Sequence, residues 1–279
     1  MLLGILSALS ALSALLICVG ADGFYNFRWL WLLPAGFFGT FVALLLAWLV
    51  MVVIMSLVVD VNKPQKKNNP FYRMVIHWSA DALITLLRIE IVTEGTEKLP
   101  KDGRFMLVCN HINDLDPVVL MTVFRKSCLA FISKRENSAK FIIGPFLHKI
   151  LCQSINRENN REALRTIVQC VHILQEDKAS IGVFPEGYVS LDRLLHPFRP
   201  GVFKIAQKAD VPIVVCTLQG TCDIIPSIKK LKPVKVHVHL LEVIPAQELK
   251  DIPTTQIADR VHDRMAADLG PEKVLQQTT

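Results

Sequence analysis

Two long uncharged apolar runs at the start of the chain limit what it can fold into more than anything that follows. Residues 2–19 carry no charge, and after a short polar break at Asp22, Asn26 and Arg28 a second run, 29–59, carries none either. At a helical rise of ~1.5 Å per residue the first run reaches ~27 Å, enough to cross a hydrocarbon core, and the second is longer than a bilayer needs. Trp29 and Trp31 open the second run, where an interfacial aromatic belt would lie. The expectation is a two-helix membrane hairpin. Lys63, Lys66, Lys67 and Arg73 follow it, which predicts that this side faces the cytoplasm. A hairpin dipping into one leaflet is the alternative. A signal peptide fits less well, since no basic segment precedes the first run and the second would still anchor the chain.

Asn68, Asn69 and Pro70 mark a boundary, dividing the sequence into a membrane hairpin with basic linker, 1–69, and a main domain, 70–279. Residues 70–87 carry Phe71, Met74, Val75, Trp78, Leu83, Leu86 and Leu87 at helical spacing. Such a helix lies at a membrane surface or packs on the domain as an ordinary core helix. Beyond it, short runs rich in Val, Ile, Leu and Phe predict strands at 89–93, 105–110, 129–133, 153–156, 180–184, 213–218 and 234–241. Near-continuous apolar strands belong to a sheet buried on both faces. Helical periodicity is clear at 160–176 and 255–269, and 201–209 reads as a shorter helix. Strand–helix alternation predicts an α/β fold with a largely parallel sheet flanked by helices, preceded by the membrane hairpin.

The net charge of +6 suits an anionic partner. No zinc-finger spacing, aromatic-basic RNA motif or long basic run is present, so a membrane lipid is expected rather than nucleic acid. The seven cysteines show no Cys-x-x-Cys pair and lie mostly in apolar runs, the pattern of reduced core residues.

Three stretches carry candidate chemistry. In Val108-Cys109-Asn110-His111-Ile112-Asn113-Asp114-Leu115-Asp116-Pro117 a buried strand runs straight into polar residues. Ligands favour the carboxyl ends of such strands. A histidine with a carboxylate five residues on forms the base-and-orienter pair of general-base catalysis, with Asp114 competing with Asp116 for the second role. A capped turn opening the next helix is the structural alternative. A metal site of His111, Asp114 and Asp116 is a further one, although no second histidine–carboxylate cluster completes it. The second stretch, Gly182-Val183-Phe184-Pro185-Glu186-Gly187-Tyr188-Val189-Ser190, again ends a buried strand, with a glycine that permits close backbone approach. The third is basic: Lys134 and Arg135 after one strand and Arg157 after the next, cations that suit a phosphate or, singly, a solvated surface.

Together these stretches resemble the glycerolipid acyltransferases, in particular the 1-acylglycerol-3-phosphate acyltransferases, over roughly residues 75–245. Asn110-His111 with Asp116 is similar to the family's Asn-His-x-x-x-x-Asp motif, Lys134 stands at its lysine, and Gly144 with Arg157 fits its second block. Phe184-Pro185-Glu186-Gly187 fits the third and Val211-Pro212-Ile213-Val214 the fourth. The resemblance implies a membrane enzyme that moves a fatty acyl group from acyl-CoA or acyl carrier protein to a lysophospholipid hydroxyl, without metal or other cofactor. It implies His111 as base, Asp116 as its orienter, Lys134 and Arg157 on the acceptor phosphate, and Glu186 and Gly187 at the glycerol end. Glycerol-3-phosphate or another lysophospholipid is the alternative acceptor, and a non-catalytic lipid-binding module the alternative of another class. Two departures stand out. Tyr188-Val189-Ser190 replaces the family's Thr-Arg-Ser, so a charge for the acceptor is sought at Arg193, Arg199 or Lys204. Phe141 stands where the second block usually has proline.

Overall fold

The computed structural model describes residues 1–25, 27–156, 159–230 and 232–275. The chain opens with α1 (Leu2–Gly20) and α2 (Trp29–Leu57), each long and apolar enough to cross a membrane. They pack on each other where the small residues Ala14 and Gly36 meet. A Cβ on Gly36 would fall 3.1 Å from the Ala14 Cα, so the glycine permits the close approach that helices in lipid use. Within them the Ser10 hydroxyl donates to the Leu6 carbonyl at 2.7 Å, and the Thr40 hydroxyl to that of Gly36. No residue in the most apolar stretch of α2 is fully buried, a surface suited to a hydrocarbon environment.

Helix α3 (Pro70–Leu86) starts where the Asn69 side chain accepts from the Phe71 and Tyr72 N–H groups, with Pro70 in the first turn. It joins hairpin to sheet. Trp78 stacks on Trp48 of α2 at 5.8 Å, and the Tyr72 hydroxyl donates to the Met55 carbonyl at 2.9 Å. On the domain side the buried Arg73 guanidinium donates to the carbonyls of Leu129 (2.9 Å) and Ile150 (3.2 Å). Of the two expectations for this segment, packing on the domain accounts for its buried face.

The main domain continues through β1 (Ile89–Glu94), β2 (Met106–Cys109), α4 (Asp116–Val123), β3 (Ala130–Lys134), α5 (Arg135–Ala139), α6 (Ile143–Lys149) and β4 (Gln153–Ile155). Then come α7 (Asn160–Gln175), β5 (Ile181–Val183), α8 (Lys204–Ala209), β6 (Ile213–Gln219), α9 (Ile224–Lys230), β7 (Val234–Ile244), α10 (Ala246–Leu249) and α11 (Thr254–Leu269). The strands form one sheet in the order β1-β7-β6-β2-β5-β3-β4, parallel throughout except for the antiparallel β6–β7 pair. Alternation along β2 shows how the core divides. Met106 and Val108 join an apolar layer with α7, α8 and α11, while Leu107 and Cys109 join another with α3, α4 and α6. All seven cysteines are free.

Helices cover both faces of the central strands, so a substrate reaches these at a strand end. Strands β2, β3, β5 and β6 are mutually parallel, and their carboxyl ends therefore open on one edge. Neighbouring strands lie ~4.8 Å apart, which brings the residues that follow them within reach of one small molecule.

Candidate active site

His111 follows the end of β2 by two residues. Its Nδ1 lies 2.9 Å from Asp116 Oδ2, at the first turn of α4. Asp116 is fully buried and held from several sides. Its Oδ2 also accepts from the backbone N–H groups of Ile112 (2.7 Å) and Asn113 (2.8 Å), and its Oδ1 from the Thr221 hydroxyl (2.6 Å). A carboxylate that already accepts from three donors leaves Nδ1 as the donor in the fourth contact. The tautomer with a lone pair on Nε2 follows. Asp114, the competing orienter, is exposed and takes no part. A group of three metal-ligating side chains with suitable geometry is absent among the described residues.

The imidazole plane is set by packing as well. His111 stacks on Phe184 with ring centroids 4.0 Å apart and planes 15° apart, and Phe184 stacks on Phe131 at 5.5 Å. The Phe131 ring has room because residue 182 is glycine: a Cβ there would fall 2.4 Å from it. Asn110 is buried, with its amide donating to the Leu218 carbonyl (2.9 Å) and its carbonyl accepting from the Leu218 N–H (2.8 Å). That pair fastens the end of β2 to the end of β6 and so fixes the base of the histidine loop.

The sequence places Glu186 at the glycerol end of a substrate; in the structure its carboxylate is buried and hydrogen-bonded within the protein. Oε1 accepts from the His111 N–H at 2.9 Å. Oε2 accepts from the Ser190 hydroxyl and from the His196 N–H at 3.2 Å. Its work is to join the loop after β5 to the loop after β2, a link that the Ser190 N–H reinforces by donating to the His111 carbonyl at 2.7 Å. Burial pushes the Glu186 carboxyl above the usual range, against the opposing pull of the Ser190, His111 and His196 contacts. A carboxyl raised on folding keeps a proton that the unfolded chain has already released. Its contribution therefore falls as pH rises from the unfolded value through the folded one. Glu186→Gln cannot titrate, so its unfolding midpoint in detergent should decline less over that window than the wild type's. An equal or steeper decline would assign the effect to another group.

Gly187 adopts φ +87°, in the left-handed region, and its N–H closes a turn onto the Phe184 carbonyl at 3.1 Å. A Cβ there would fall 2.7 Å from Arg199 Nε, so the Arg199 side chain runs directly over this glycine. The other two cations named for the missing family arginine lie elsewhere: Arg193 pairs with Asp223 at 3.2 Å, and Lys204 is an exposed residue at the start of α8. Lys134 ends β3 with its side chain exposed on the same sheet edge as His111, while the adjacent Arg135 faces Glu162 at 3.8 Å. Arg157 lies outside the described residues; β4, which precedes it, ends at Ile155. Gly144 lets α5 and α6 pack, since a Cβ would fall 2.1 Å from the Ser138 carbonyl oxygen. Thr221 and Asn110 as anchors, and the Phe184 stack, are contacts that the sequence reading did not identify.

Residues 90–219, which contain this constellation, match the family model described as Acyltransferase. This part of the chain belongs to the acyltransferase family. A 1-acyl-sn-glycerol-3-phosphate acyltransferase of Chlamydomonas reinhardtii is 33% identical to it over 200 residues, covering 71% of this chain and 58% of that protein. A probable 1-acyl-sn-glycerol-3-phosphate acyltransferase of Mycoplasma pneumoniae is 30% identical over 177 residues, covering 62% and 64%. The chain thus spans less than two thirds of the length of these curated relatives. The crystal structure of the 1-acyl-sn-glycerophosphate acyltransferase PlsC from Thermotoga maritima aligns over 99% of this chain and 100% of that one, with TM-score 0.60 and 20% identity. That likeness shows that the two chains share a fold. Two helices long and apolar enough to cross a membrane precede the part that matches the family.

Proposed function

We propose that this acyltransferase moves a fatty acyl group from acyl-CoA or acyl carrier protein to the free hydroxyl of 1-acylglycerol-3-phosphate, forming phosphatidic acid. The observation that carries the reading is the 2.9 Å contact between His111 Nδ1 and the fully buried Asp116, which leaves Nε2 as a base at the open edge of the sheet. His111 Nε2 takes the proton of the acceptor hydroxyl as its oxygen attacks the thioester carbonyl. The tetrahedral intermediate collapses, the C–S bond breaks, and the leaving thiolate takes the proton from the imidazolium. No acyl-enzyme is needed, because the acceptor is the nucleophile. Asp116 orients the ring and stabilises its charged form. Backbone N–H groups at the strand ends are the source of oxyanion stabilisation in this scheme. No metal or other cofactor enters it.

The acceptor phosphate is assigned to Lys134 and Arg157, together with Arg199. Arg199 supports this role because it lies over the Phe184–Gly187 block and compensates for Val189, where the family usually has arginine. Charge-assisted contacts to phosphate act on binding more than on the chemical step. Lys134→Met and Arg199→Met should each raise KM for the lysophospholipid, by roughly tenfold for a contact worth ~1.4 kcal/mol, with kcat and thioester KM little changed. A loss confined to thioester binding would move the phosphate site elsewhere. The basic linker after α2 supports a cytoplasmic position for the domain. Tyr188 and Val189 favour, as a second reading, a less anionic lysophospholipid. A panel of 1-acylglycerol-3-phosphate, glycerol-3-phosphate and other lysophospholipids, each with both thioesters, tests the assignment. Preference for 1-acylglycerol-3-phosphate is expected, and its exclusion from the accepted set would refute the choice of acceptor.

A further inference from the structure

The link between α5 and α6 is polar in position but apolar in sequence. Lys140 is followed by Phe141, Ile142 and Ile143, which are 59%, 39% and 48% exposed. Three consecutive large apolar side chains turned outward on one loop are costly in water. Their place in the fold says what covers them. The Ser56 hydroxyl, in the last turn of α2, donates to the Phe141 carbonyl. The loop is therefore one hydrogen bond away from a helix whose most apolar stretch has no fully buried residue. Near that contact Ile54 and Leu57 of α2 and Val58 just after it are more than half exposed.

Charge follows the same plan. Lys140 is exposed beside the loop, and Lys63, Lys66 and Lys67 are exposed in the linker that leaves α2. That linker is strapped to the far end of α6: the Lys63 carbonyl lies 3.0 Å from His148 Nε2, and the Lys149 ammonium donates to Gln65 Oε1 at 3.2 Å. Helix α6 thus stands with an apolar start at the level of the last turn of α2 and a basic end beside the linker. Apolar side chains below lysines match the depth profile of a bilayer with anionic headgroups.

We propose that Phe141, Ile142 and Ile143 form a second membrane contact, inserted into the bilayer surface alongside α2, with Lys140 and the linker lysines at the headgroups. This contact, with the hairpin already fixed to the domain through Trp48–Trp78 and Tyr72–Met55, sets the tilt of both at the bilayer surface. It also brings the bilayer to the side of the sheet that bears Lys134, six residues before the loop. The inference concerns membrane docking alone and does not depend on the acyl-transfer chemistry. Phe141, in the position of the family's usual proline, adds an aromatic anchor.

The test places a photoreactive benzophenone amino acid at position 141, 142 or, as a control, Asp263, whose side chain is 84% exposed on α11. The full chain is reconstituted in vesicles of phosphatidylcholine and phosphatidylglycerol, irradiated and digested. Lipid adducts on the peptide that carries position 141 or 142, and none at position 263, are expected. Absence of lipid adducts at 141 and 142, crosslinks there to a second protein chain, or equal labelling at 263 would each overturn the proposal. A second measurement uses Phe141→Asp/Ile142→Asp, which should lower activity on vesicle-borne acceptor while sparing a short-chain acceptor in free solution. Equal losses on both would also contradict it.

Discussion

His111→Ala should abolish acyl transfer while leaving the chain folded. A positioned general base contributes roughly 10²–10⁴-fold, and no neighbouring group replaces it. Asp114 is exposed and does not face the ring, and Glu186 has both oxygens occupied. The fold survives because of how Asp116 is held. Removing the imidazole deletes one of four contacts, while the Ile112 and Asn113 N–H groups and the Thr221 hydroxyl still satisfy the buried carboxylate. The remaining loss is the stack on Phe184, a contact of about 0.5–1.5 kcal/mol. Matched circular dichroism and unfolding midpoints, with activity at background, are the expected pair of observations. A folded variant that retains substantial activity would remove His111 from the mechanism.

The second large effect separates the two duties of Asp116. Asp116→Ala strips an acceptor from three backbone or side-chain donors in a fully buried place. Each orphaned donor costs about 1–3 kcal/mol, so this variant should lose both activity and fold. Asp116→Asn should behave differently. Its amide oxygen can take the Oδ2 position, keeping the contacts to Ile112, Asn113 and His111 Nδ1. Its amide nitrogen then faces Thr221, whose hydroxyl can turn to accept. The tautomer of His111 is preserved, and only the negative charge opposite the imidazolium is lost. Near-native stability with a kcat reduced by roughly 10²–10³ is expected, a smaller loss than when such a substitution also inverts the tautomer. Thr221→Val added to Asp116→Asn should then cost stability, because the amide nitrogen loses its acceptor. If Asp116→Asn instead unfolds the protein, the charge is structural and the amide orientation argued above is wrong.

The fold was largely legible in the residues. All seven strands coincide with the predicted runs; the central β2, β5 and β6 are buried at nearly every position, while β1, β4 and β7 keep enough apolar residues to be read despite exposed polar ones. Helices α7 and α11, at 16 residues each, are long enough for periodicity to show. Helices α4, α5, α6, α9 and α10 span four to eight residues and leave no such signature. The strand order and the antiparallel β6–β7 pair depend on contacts between distant segments. In the site, His111 and Asp116 were readable because five residues of separation lets one turn join them. Thr221 is 105 residues from Asp116, and nothing local announces it. Glu186 is a different case. Beside Pro185 and Gly187 it has the composition of a ligand loop, and only burial shows its oxygens facing inward. The membrane docking loop escaped notice because three apolar residues in a row look the same in a core as on a bilayer.

The chemistry itself is tested most directly by a product assay. The purified full chain, reconstituted in lipid, is given labelled acyl thioester with and without 1-acylglycerol-3-phosphate, beside His111→Ala prepared identically. The account predicts labelled phosphatidic acid only when the acceptor and the wild-type chain are both present, with no label retained on protein. Absence of acylated lipid in the wild-type reaction, a stable acyl-protein, or product at an undiminished rate with His111→Ala would contradict it.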